Sequence, residues 1–266
     1  MVFRLLKSIL RKESRPRERT RTVSLEQAQV PTGHRAYVIG DIHARADLLT
    51  ELLKKIAVDA EHAPVNRHLI YLGDYVDRGL QSRQVIDITL ATTTLASFTC
   101  ITLMGNHEEY MVKFMEDPLS AAEWLRFGGD ATLLSYGVAM EPGVATPEKI
   151  LKASEALCNS VPSAHRQFLS DLQDQYVLGD YLFVHAGVAP DRRLDRQKPE
   201  DLRWIREPFV EHTELYEKVI VHGHTITKTP EFHANRISLD TGAYHSGRLT
   251  CLVLEGNEQR VIQTDG

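Results

Sequence analysis

The sequence predicts an α/β fold (α and β mixed) in a single domain, in which strands and helices alternate first and strands dominate the C-terminal part. Three short apolar runs each end in glycine and then a carboxylate or amide, at Asp41, Asp74 and Asn106, with spacings of 33 and 32 residues. A helical repeat lies between the first two runs, and strand-like runs return after residue 180. Strands that alternate with helices at this spacing are typical of a parallel sheet.

The first three strands are predicted in AYVIGD, LIYLGD and ITLMGN, because each is a short run rich in apolar and β-branched residues. Between the first two, apolar residues recur at the spacing of a helix with one apolar face (Leu48, Leu49, Leu52, Leu53 and Ile56). The glycine before each polar residue is expected to let the backbone turn out of the sheet.

Residues 108–178 are predicted to form a helical insert. Five strand-like runs follow it: YLFVHAG (181–187), KVIVHGH (218–224), RISLDTGA (236–243), LTCLVLEG (249–256) and QRVIQT (259–264). Residues 34–266 are therefore expected to form one domain.

Residues 1–33 are predicted to be a basic, flexible N-terminal tail. Residues 1–22 contain eight Lys or Arg and two Glu, a net charge of +6, which leaves −11 on the rest of the chain. Because apolar and cationic residues are interleaved at the start, a short amphipathic helix that contacts an anionic membrane or a partner weakly is the alternative. The acidic body argues against nucleic acid as a partner, since phosphate contacts require a basic face.

The three cysteines, Cys100, Cys158 and Cys251, have neither metal-site spacing nor the number expected of a disulfide framework. We therefore expect free thiols and a cytoplasmic protein. No apolar stretch of the sequence reaches the length of a membrane span.

Polar side chains stand at the ends of five predicted strands. They come from GDIHA (Asp41, His43), GDYVDRG (Asp74), GNHE (Asn106, His107), VHAG (His185) and GHT (His224). Ligands collect beyond the carboxyl ends of strands in open α/β sheets, so one cleft is expected to gather these side chains. Oxygen and nitrogen donors without a thiolate suit Mn, Fe or Zn.

The spacing of these residues predicts two metal ions. Asp41 and His43 are two residues apart, so on an extended strand end they face the same side and can share one ion. Asp74 can bridge two ions with its two oxygens, and Asn106, His185 and His224 would complete the second site. Two ions roughly 3.5–4 Å apart stabilise the attacking and leaving oxygens of an in-line displacement at phosphorus.

These motifs resemble those of the metallophosphoesterases, specifically the phosphoprotein phosphatases that act on phosphoserine and phosphothreonine. The resemblance extends from about Tyr37 to Gly242, and GDYVDRG and GNHE are its most specific parts. It implies a four-layer sandwich of two mixed sheets flanked by helices. It also implies two divalent metal ions, with Mn favoured over Fe or Zn, and attack on phosphorus by a hydroxide that bridges them.

The resemblance also implies residue roles by position. The first metal would be held by Asp41, His43 and Asp74, and the second by Asp74, Asn106, His185 and His224. Three other roles are implied: His107 as the general acid, Asp77 as the group that orients it, and Arg78, Arg206 and Asn106 as phosphate-binding residues. Arg203 is the alternative to Arg206.

Four other residues near these motifs have open roles in the sequence. Trp124 and Phe127 could form a substrate wall or pack among helices. Asp240 could support the site or belong to a turn, and Glu108 is expected to cap or orient the site instead of binding metal.

The function expected from the resemblance is a metal-dependent serine/threonine protein phosphatase that acts on a phosphoprotein or phosphopeptide. The alternative is a symmetrical diadenosine tetraphosphatase or a related nucleotide hydrolase, from which Asp77 and Glu108 distinguish the phosphatases. A third hypothesis is an inactive adaptor that binds phosphoproteins. It would require a broken site, and no ligand position is lost.

Overall fold

The computed structural model describes residues 21–266 of the chain. Its strands are β1 (His34–Ile39), β2 (Asn66–Tyr71), β3 (Thr99–Thr102), β4 (Gln175–Leu178), β5 (Tyr181–Val184), β6 (Val219–His222), β7 (Glu231–Phe232), β8 (Arg236–Ser238), β9 (Thr250–Glu255) and β10 (Glu258–Gln263). Its α-helices are α1 (Ala46–Ala60), α2 (Ser82–Thr93), α3 (Asn106–Glu116), α4 (Gly129–Ser135), α5 (Pro147–Ser160), α6 (Ser163–Asp171), α7 (Pro199–Trp204) and α8 (Ala243–Ser246).

The strands form two mixed five-stranded sheets, which confirms the predicted fold class. The first sheet has the order β10-β9-β1-β2-β3, with β1, β2 and β3 parallel and the two C-terminal strands antiparallel. The second has the order β4-β5-β6-β8-β7, with β5, β6 and β8 parallel and an antiparallel strand at each edge.

The side chains of the central strands point alternately to the two faces of the first sheet, and this produces the layers of the fold. In β1, Val38 joins the core between the two sheets, whereas Tyr37 and Ile39 join the core between the first sheet and the helices. In β2, Ile70 and Leu69 divide in the same way. Because successive side chains of a strand point to opposite faces, each central strand contributes to two cores. Apolar residues at strand positions of both parities are therefore buried.

The helical repeat noted in the sequence becomes α1. Leu48, Leu49, Leu52 and Ile56 are buried against the first sheet, as their spacing on one face predicts. The helix joins β1 to β2 in parallel, so both strands end at the same edge of the sheet. The polar residues that follow them are thereby brought together.

Two segments differ from the sequence prediction. The sequence predicts a flexible tail that includes residues 21–33, but Val23, Ala28 and Val30 of this segment are buried in the core between the sheets. The Val30 amide also donates to the Gly256 carbonyl at 3.0 Å. The remainder of the predicted tail lies in residues 1–20, outside the described part of the chain, and so does nearly all of the segment 1–22 for which a contact with a membrane or partner was predicted. The predicted helical insert ends early, because β4 occupies residues 175–178 as an edge strand beside β5.

Within residues 21–266, no helix combines the length and apolar character needed to span a membrane. The cysteines are free thiols, with Cys251 buried and Cys100 and Cys158 half-buried.

Candidate metal centre

The ends of five parallel strands bring the candidate ligands to one place. Loops after β1, β2, β5 and β6 and the first turn of α3 carry them, and all are buried (Asp41, His43, Asp74, Asn106, His107, His185 and His224). The two sheets are joined at this edge. The His224 amide of the second sheet donates to Asp41 Oδ2 of the first at 2.9 Å, and His185 Nδ1 of the second sheet donates to the Leu72 carbonyl of the first at 2.9 Å.

Backbone strain is concentrated in the same loops. Six non-glycine residues of the described chain have positive φ, and all lie in these loops (His43, Ala44, Asp74, Asp77, Arg78 and His224). Such conformations cost on the order of 1–3 kcal/mol each and persist where surrounding structure imposes them, often at functional sites. The sequence prediction attributed the turns to the preceding glycines. The polar residues themselves adopt most of the unusual conformations.

Gly73, which precedes Asp74, has a φ of 110° and makes the predicted turn, whereas Gly105 and Gly223 permit close approach. A side chain at Gly105 would collide with the carboxylate of Asp74, and one at Gly223 would collide with that of Asp41. The two carboxylates are therefore seated directly against backbone that only glycine can provide.

Asp74 lies between two groups of imidazoles. Its Oδ2 is 3.4 Å from His43 Nε2 and 3.9 Å from His107 Nε2, whereas its Oδ1 is 3.4 Å from His185 Nε2. Two sets of possible ligand atoms each lie within 4.8 Å of one another: His43, Asp74 and His107, and Asp74, His185 and His224. Asp74 is the member common to both sets.

Asn106 and Asp41 extend the two sets. The side-chain oxygen of Asn106 is 3.0 Å from His185 Nε2. The Oδ2 of Asp41 accepts from the His224 amide at 2.9 Å, while its Oδ1 is buried and has no hydrogen-bond partner among the described residues. Burial and the nearby carboxylates of Asp240 and Asp74 raise the pKa of Asp41 well above its ordinary value. Asp41, Asp74 and Asp240 are buried close together, and one oxygen of Asp41 has no partner among the described residues, so this group requires a compensating positive charge. The candidate ligands therefore fit bound cations.

The imidazoles are oriented as metal ligands require. His43 Nδ1 donates to the Val76 carbonyl at 2.9 Å, and His185 Nδ1 donates to the Leu72 carbonyl at 2.9 Å, so each Nε2 is left as the ligand atom. Burial lowers the pKa of His43 to about 3 and that of His224 to about 2, which keeps both rings neutral. Neutral imidazole is the form that binds metal.

The pKa of His107 is shifted in the opposite direction, upwards. Its Nδ1 donates to Asp77 Oδ2 at 2.6 Å, so its Nε2 is the free nitrogen. Burial alone would lower its pKa, but the carboxylates of Asp74 and Asp77 raise the pKa to about 9. The ring is therefore protonated at neutral pH, which suits a proton donor better than a metal ligand.

Two side chains that the sequence did not connect with Asp77 hold its carboxylate. Trp124 Nε1 donates to Asp77 Oδ2 at 2.7 Å, and Thr132 Oγ1 donates to Oδ1 at 2.6 Å. Trp124 is fully buried, which excludes it from a substrate wall. The sequence contained no signal for Thr132, because it lies 55 residues from Asp77 in the chain.

Glu108 supports the backbone of the Asp74 loop. Its carboxylate accepts from the amides of Asp74 (2.9 Å), Tyr75 (2.8 Å), Val76 (3.1 Å) and Gly105 (3.0 Å). The predicted orienting role therefore has a structural basis: one carboxylate fixes both the β2 and the β3 loops.

The arginines lie around the opening. Arg78 stacks on the Tyr244 ring, with its guanidinium carbon 4.6 Å from the centroid, and its NH2 is 3.5 Å from His107 Nε2. Arg206 is exposed, and its NH1 is 3.3 Å from the Thr225 hydroxyl, beside His224. Tyr244 was not identified from the sequence, where it follows a turn pattern without any metal-binding motif.

Arg203, the alternative to Arg206, is engaged elsewhere. Its guanidinium contacts Asp174 at 2.6 Å and Glu109 at 3.5 Å. The structure therefore places Arg206, and not Arg203, beside the candidate centre.

Comparison with known proteins places this centre among phosphoesterases. The family model for calcineurin-like phosphoesterases matches residues 34–248. The bis(5'-nucleosyl)-tetraphosphatase PrpE (asymmetrical) of Anoxybacillus flavithermus is 26% identical over 234 residues, covering 81% of this chain and 88% of that protein.

Two solved structures share the fold. A candidate diadenosine tetraphosphatase has a TM-score of 0.59 at 20% identity and covers 90% of this chain and 100% of its own. The I115M mutant of a cold-active protein tyrosine phosphatase has a TM-score of 0.55 at 19% identity and covers 90% of this chain and 81% of its own. At these identities the likeness concerns the fold alone.

Proposed function

We propose that this chain, which belongs to the calcineurin-like phosphoesterase family, hydrolyses bis(5'-nucleosyl) tetraphosphates. The family consists of metallophosphoesterase-type hydrolases with a dinuclear divalent metal centre. The protein phosphatase activity expected from the motifs becomes the second candidate. The PrpE relative named above, which the chain matches over most of both lengths, supports the nucleotide substrate. The sequence named a symmetrical enzyme as its alternative, whereas the relative is called asymmetrical. Asymmetrical cleavage of the four-phosphate chain would release a nucleoside triphosphate and a nucleoside monophosphate.

The observation that supports phosphoester hydrolysis most directly is the position of Asp74 between two sets of imidazoles. Asp41, His43 and Asp74 would hold one divalent ion, and Asp74, Asn106, His185 and His224 would hold the other. Such ions, with Mn proposed first, would supply Lewis-acid stabilisation of the phosphoryl oxygens and lower the pKa of the attacking water.

The protein side chains would then bind the substrate and move a proton. Arg78, held over Tyr244, would contact phosphoryl oxygens with its planar pair of donors, and exposed Arg206 would contact the phosphate chain. His107 would donate the proton on Nε2 to the leaving oxygen while Asp77 holds Nδ1.

The same proton donor supports the second candidate. A leaving phosphate is a weak base and needs little protonation, whereas the alkoxide of serine or threonine needs a general acid. The Asp77–His107 pair, with its distance of 2.6 Å, would therefore matter most for a phosphoprotein substrate. This observation keeps dephosphorylation of a phosphoserine or phosphothreonine peptide as the alternative activity.

The two activities are separated by one assay with Mn²⁺ and the purified protein. Hydrolysis of diadenosine tetraphosphate, with nucleotide products resolved by chromatography, is compared with phosphate release from a phosphothreonine peptide. Asp74→Asn serves as the inactive variant, and Asp47→Asn as its control, because Asp47 is an exposed carboxylate paired with Arg45.

We expect kcat/KM to favour the dinucleotide, with ATP and AMP as products, and Asp74→Asn to lose both activity and bound metal. A preference for the peptide would overturn the nucleotide proposal and support the second candidate. Full activity and metal content in Asp74→Asn would contradict the assignment of the metal centre.

A further inference from the structure

An open cavity of about 470 Å³ lies between α3 and α7. Glu109, Tyr110 and Lys113 of α3 line one side, and Glu200 and Trp204 of α7 line the other. The Tyr110 and Trp204 rings meet edge to face with centroids 5.0 Å apart. The volume is within the range of small-molecule sites.

The aromatic rings of this cavity are held in place. Trp204 Nε1 donates to Glu109 Oε2 at 2.9 Å, and Lys113 contacts Glu109 Oε1 at 2.7 Å. Phe127 adds a third ring, 5.8 Å from Tyr110, and is 46% exposed. Neither Trp204 nor Tyr110 is fully buried. The cavity therefore presents a preformed, partly accessible aromatic surface, which lowers the ordering cost of binding.

Residues on both sides of the cavity lie close in the chain to residues of the candidate centre. On α3, Tyr110 is three residues after His107, and residues at this spacing are neighbours on one helix face. On the other side, Arg206 is two residues after Trp204 and contacts Thr225, beside His224. Phe127 precedes Gly128, whose carbonyl accepts from the Arg78 amide at 3.4 Å.

The charges of the cavity differ from those of the centre. Its rim carries two carboxylates, Glu109 and Glu200, and one ammonium, Lys113, so it is unfavourable for phosphate. It suits instead an uncharged planar group that has both hydrogen-bond donors and acceptors. Adenine has a flat π face, an amino donor and ring-nitrogen acceptors. Exposed Glu200 offers an acceptor and Lys113 a donor at the rim.

We propose that the cavity between α3 and α7 binds one purine base of the substrate by stacking on Tyr110 and Trp204. The phosphate chain then extends from the cavity past Arg206 towards the metal centre. This inference rests on the proposed nucleotide function and names the residues that would determine specificity for it.

The first test compares two substrates that share the centre but differ in the base. We measure kcat and KM for diadenosine tetraphosphate and for p-nitrophenyl phosphate in the wild type, Tyr110→Leu and Trp204→Leu. Phe232→Leu is the matched control, because Phe232 is 44% exposed on β7, away from the cavity. Base stacking on an aromatic side chain contributes enough for a loss of roughly tenfold to a hundredfold.

We expect the ratio of kcat/KM for the dinucleotide to that for the aryl phosphate to fall by about tenfold or more in both cavity variants, mainly through KM. It should remain at the wild-type value in Phe232→Leu. An equal loss on both substrates would show a structural effect only and would overturn the inference while leaving the proposed function intact.

A binding measurement does not depend on turnover. Adenosine, which carries no phosphate, is titrated into Asp74→Asn while tryptophan fluorescence is recorded. Of the two tryptophans, Trp124 is fully buried, so quenching should come from Trp204 and disappear in Asp74→Asn with Trp204→Phe.

This second readout separates the two hypotheses. If the wild type fails to hydrolyse the dinucleotide but adenosine quenches Trp204, the proposed function is wrong and the base site stands. If adenosine causes no quenching at millimolar concentration, the base site is wrong, whatever the protein hydrolyses.

Discussion

The proton on His107 depends on contacts made by individual residues. Asp77 accepts from His107 Nδ1, and Trp124 and Thr132 each donate to Asp77. With its other hydrogen-bonding positions occupied, the Asp77 carboxylate has one orientation. His107 is thereby fixed as a single tautomer with Nε2 available.

Replacing His107 by Asn should reveal a proton donor through its dependence on the leaving group. We expect a loss of about 10²–10³ in kcat on a phosphoserine peptide and of less than about tenfold on p-nitrophenyl phosphate, because the aryl oxide needs little protonation. Steady-state kinetics on both substrates would measure this. Exposed His62→Asn is the control. Equal losses on both substrates would exclude the acid role.

At the level of elements, Glu108 joins the start of α3 to the loop after β2. A single carboxylate accepts from four backbone amides, three of which belong to residues 74–76. Within residues 21–266 these amides have no other acceptor, and the loop has strained φ values, so the carboxylate determines where Asp74 lies.

Glu108→Gln should therefore weaken both the fold and the metal site. An amide group cannot accept at its nitrogen, so buried N–H donors lose their partner, at a cost of about 2–3 kcal/mol in the free energy of unfolding. Metal affinity should fall about 10–100-fold, as for other residues that support ligands. Urea denaturation and metal titration would measure the two effects. Glu116→Gln, at the exposed end of α3, should change neither the free energy of unfolding nor the metal affinity. If Glu108→Gln behaved like Glu116→Gln, the role assigned to Glu108 would be wrong.

Asp59 connects α1 to two strands of the first sheet. Its carboxylate accepts from the Tyr37 hydroxyl at 2.7 Å, from Arg35 of β1 at 3.0 Å and from Arg260 of β10. Burial would raise the pKa of Asp59, but the hydrogen bonds from Arg260 and Tyr37 outweigh it and lower the pKa below its ordinary value of 3.8.

This shift predicts acid sensitivity with a defined sign. The unfolded chain takes up the proton first, so the contribution of Asp59 is present above about pH 4 and is lost as pH falls through the lower folded-state pKa. Asp59→Asn should lower the free energy of unfolding by about 1 kcal/mol at pH 7 and by less at pH 3. Urea denaturation of the wild type and the variant at both pH values measures this difference in the free energy of unfolding. An equal difference at pH 7 and pH 3 would contradict the predicted effect of the Asp59 pKa.

At the scale of the whole molecule, the two sheets and the N-terminal segment share one core. Val23, Ala28 and Val30 pack between the sheets, and the segment adds backbone hydrogen bonds to Tyr216, Ala234 and Gly256. The loops that carry the ligands come from both sheets, so the relative position of the sheets determines the geometry of the centre.

Val30→Ala should destabilise the domain by about 2 kcal/mol, since it removes buried methyl groups from this core. Val65→Ala removes the same atoms from a side chain that is 90% exposed and should change the free energy of unfolding by less than about 0.5 kcal/mol. Chemical denaturation of both variants compares them. If the two were equally stable, residues 21–33 would not contribute to the core.

By itself, the sequence determined the elements whose signals are local. The apolar repeat of α1 and the runs that became β1, β2 and β5 were predicted because helix and strand periodicities can be recognised from residues close together in the chain. The motifs at the strand ends also predicted which side chains meet, because parallel strands bring their carboxyl ends to one edge.

Only the tertiary structure decided the features that depend on distant residues. Thr132 and Trp124 hold Asp77 from 55 and 47 residues away, and α3 and α7 form the aromatic cavity across 95 residues from Glu109 to Trp204. Residues 21–33 are polar enough to resemble a tail, yet the core between the sheets buries their few apolar side chains. Burial and long-range hydrogen bonding are properties of the packed chain, and short-range sequence patterns do not encode them.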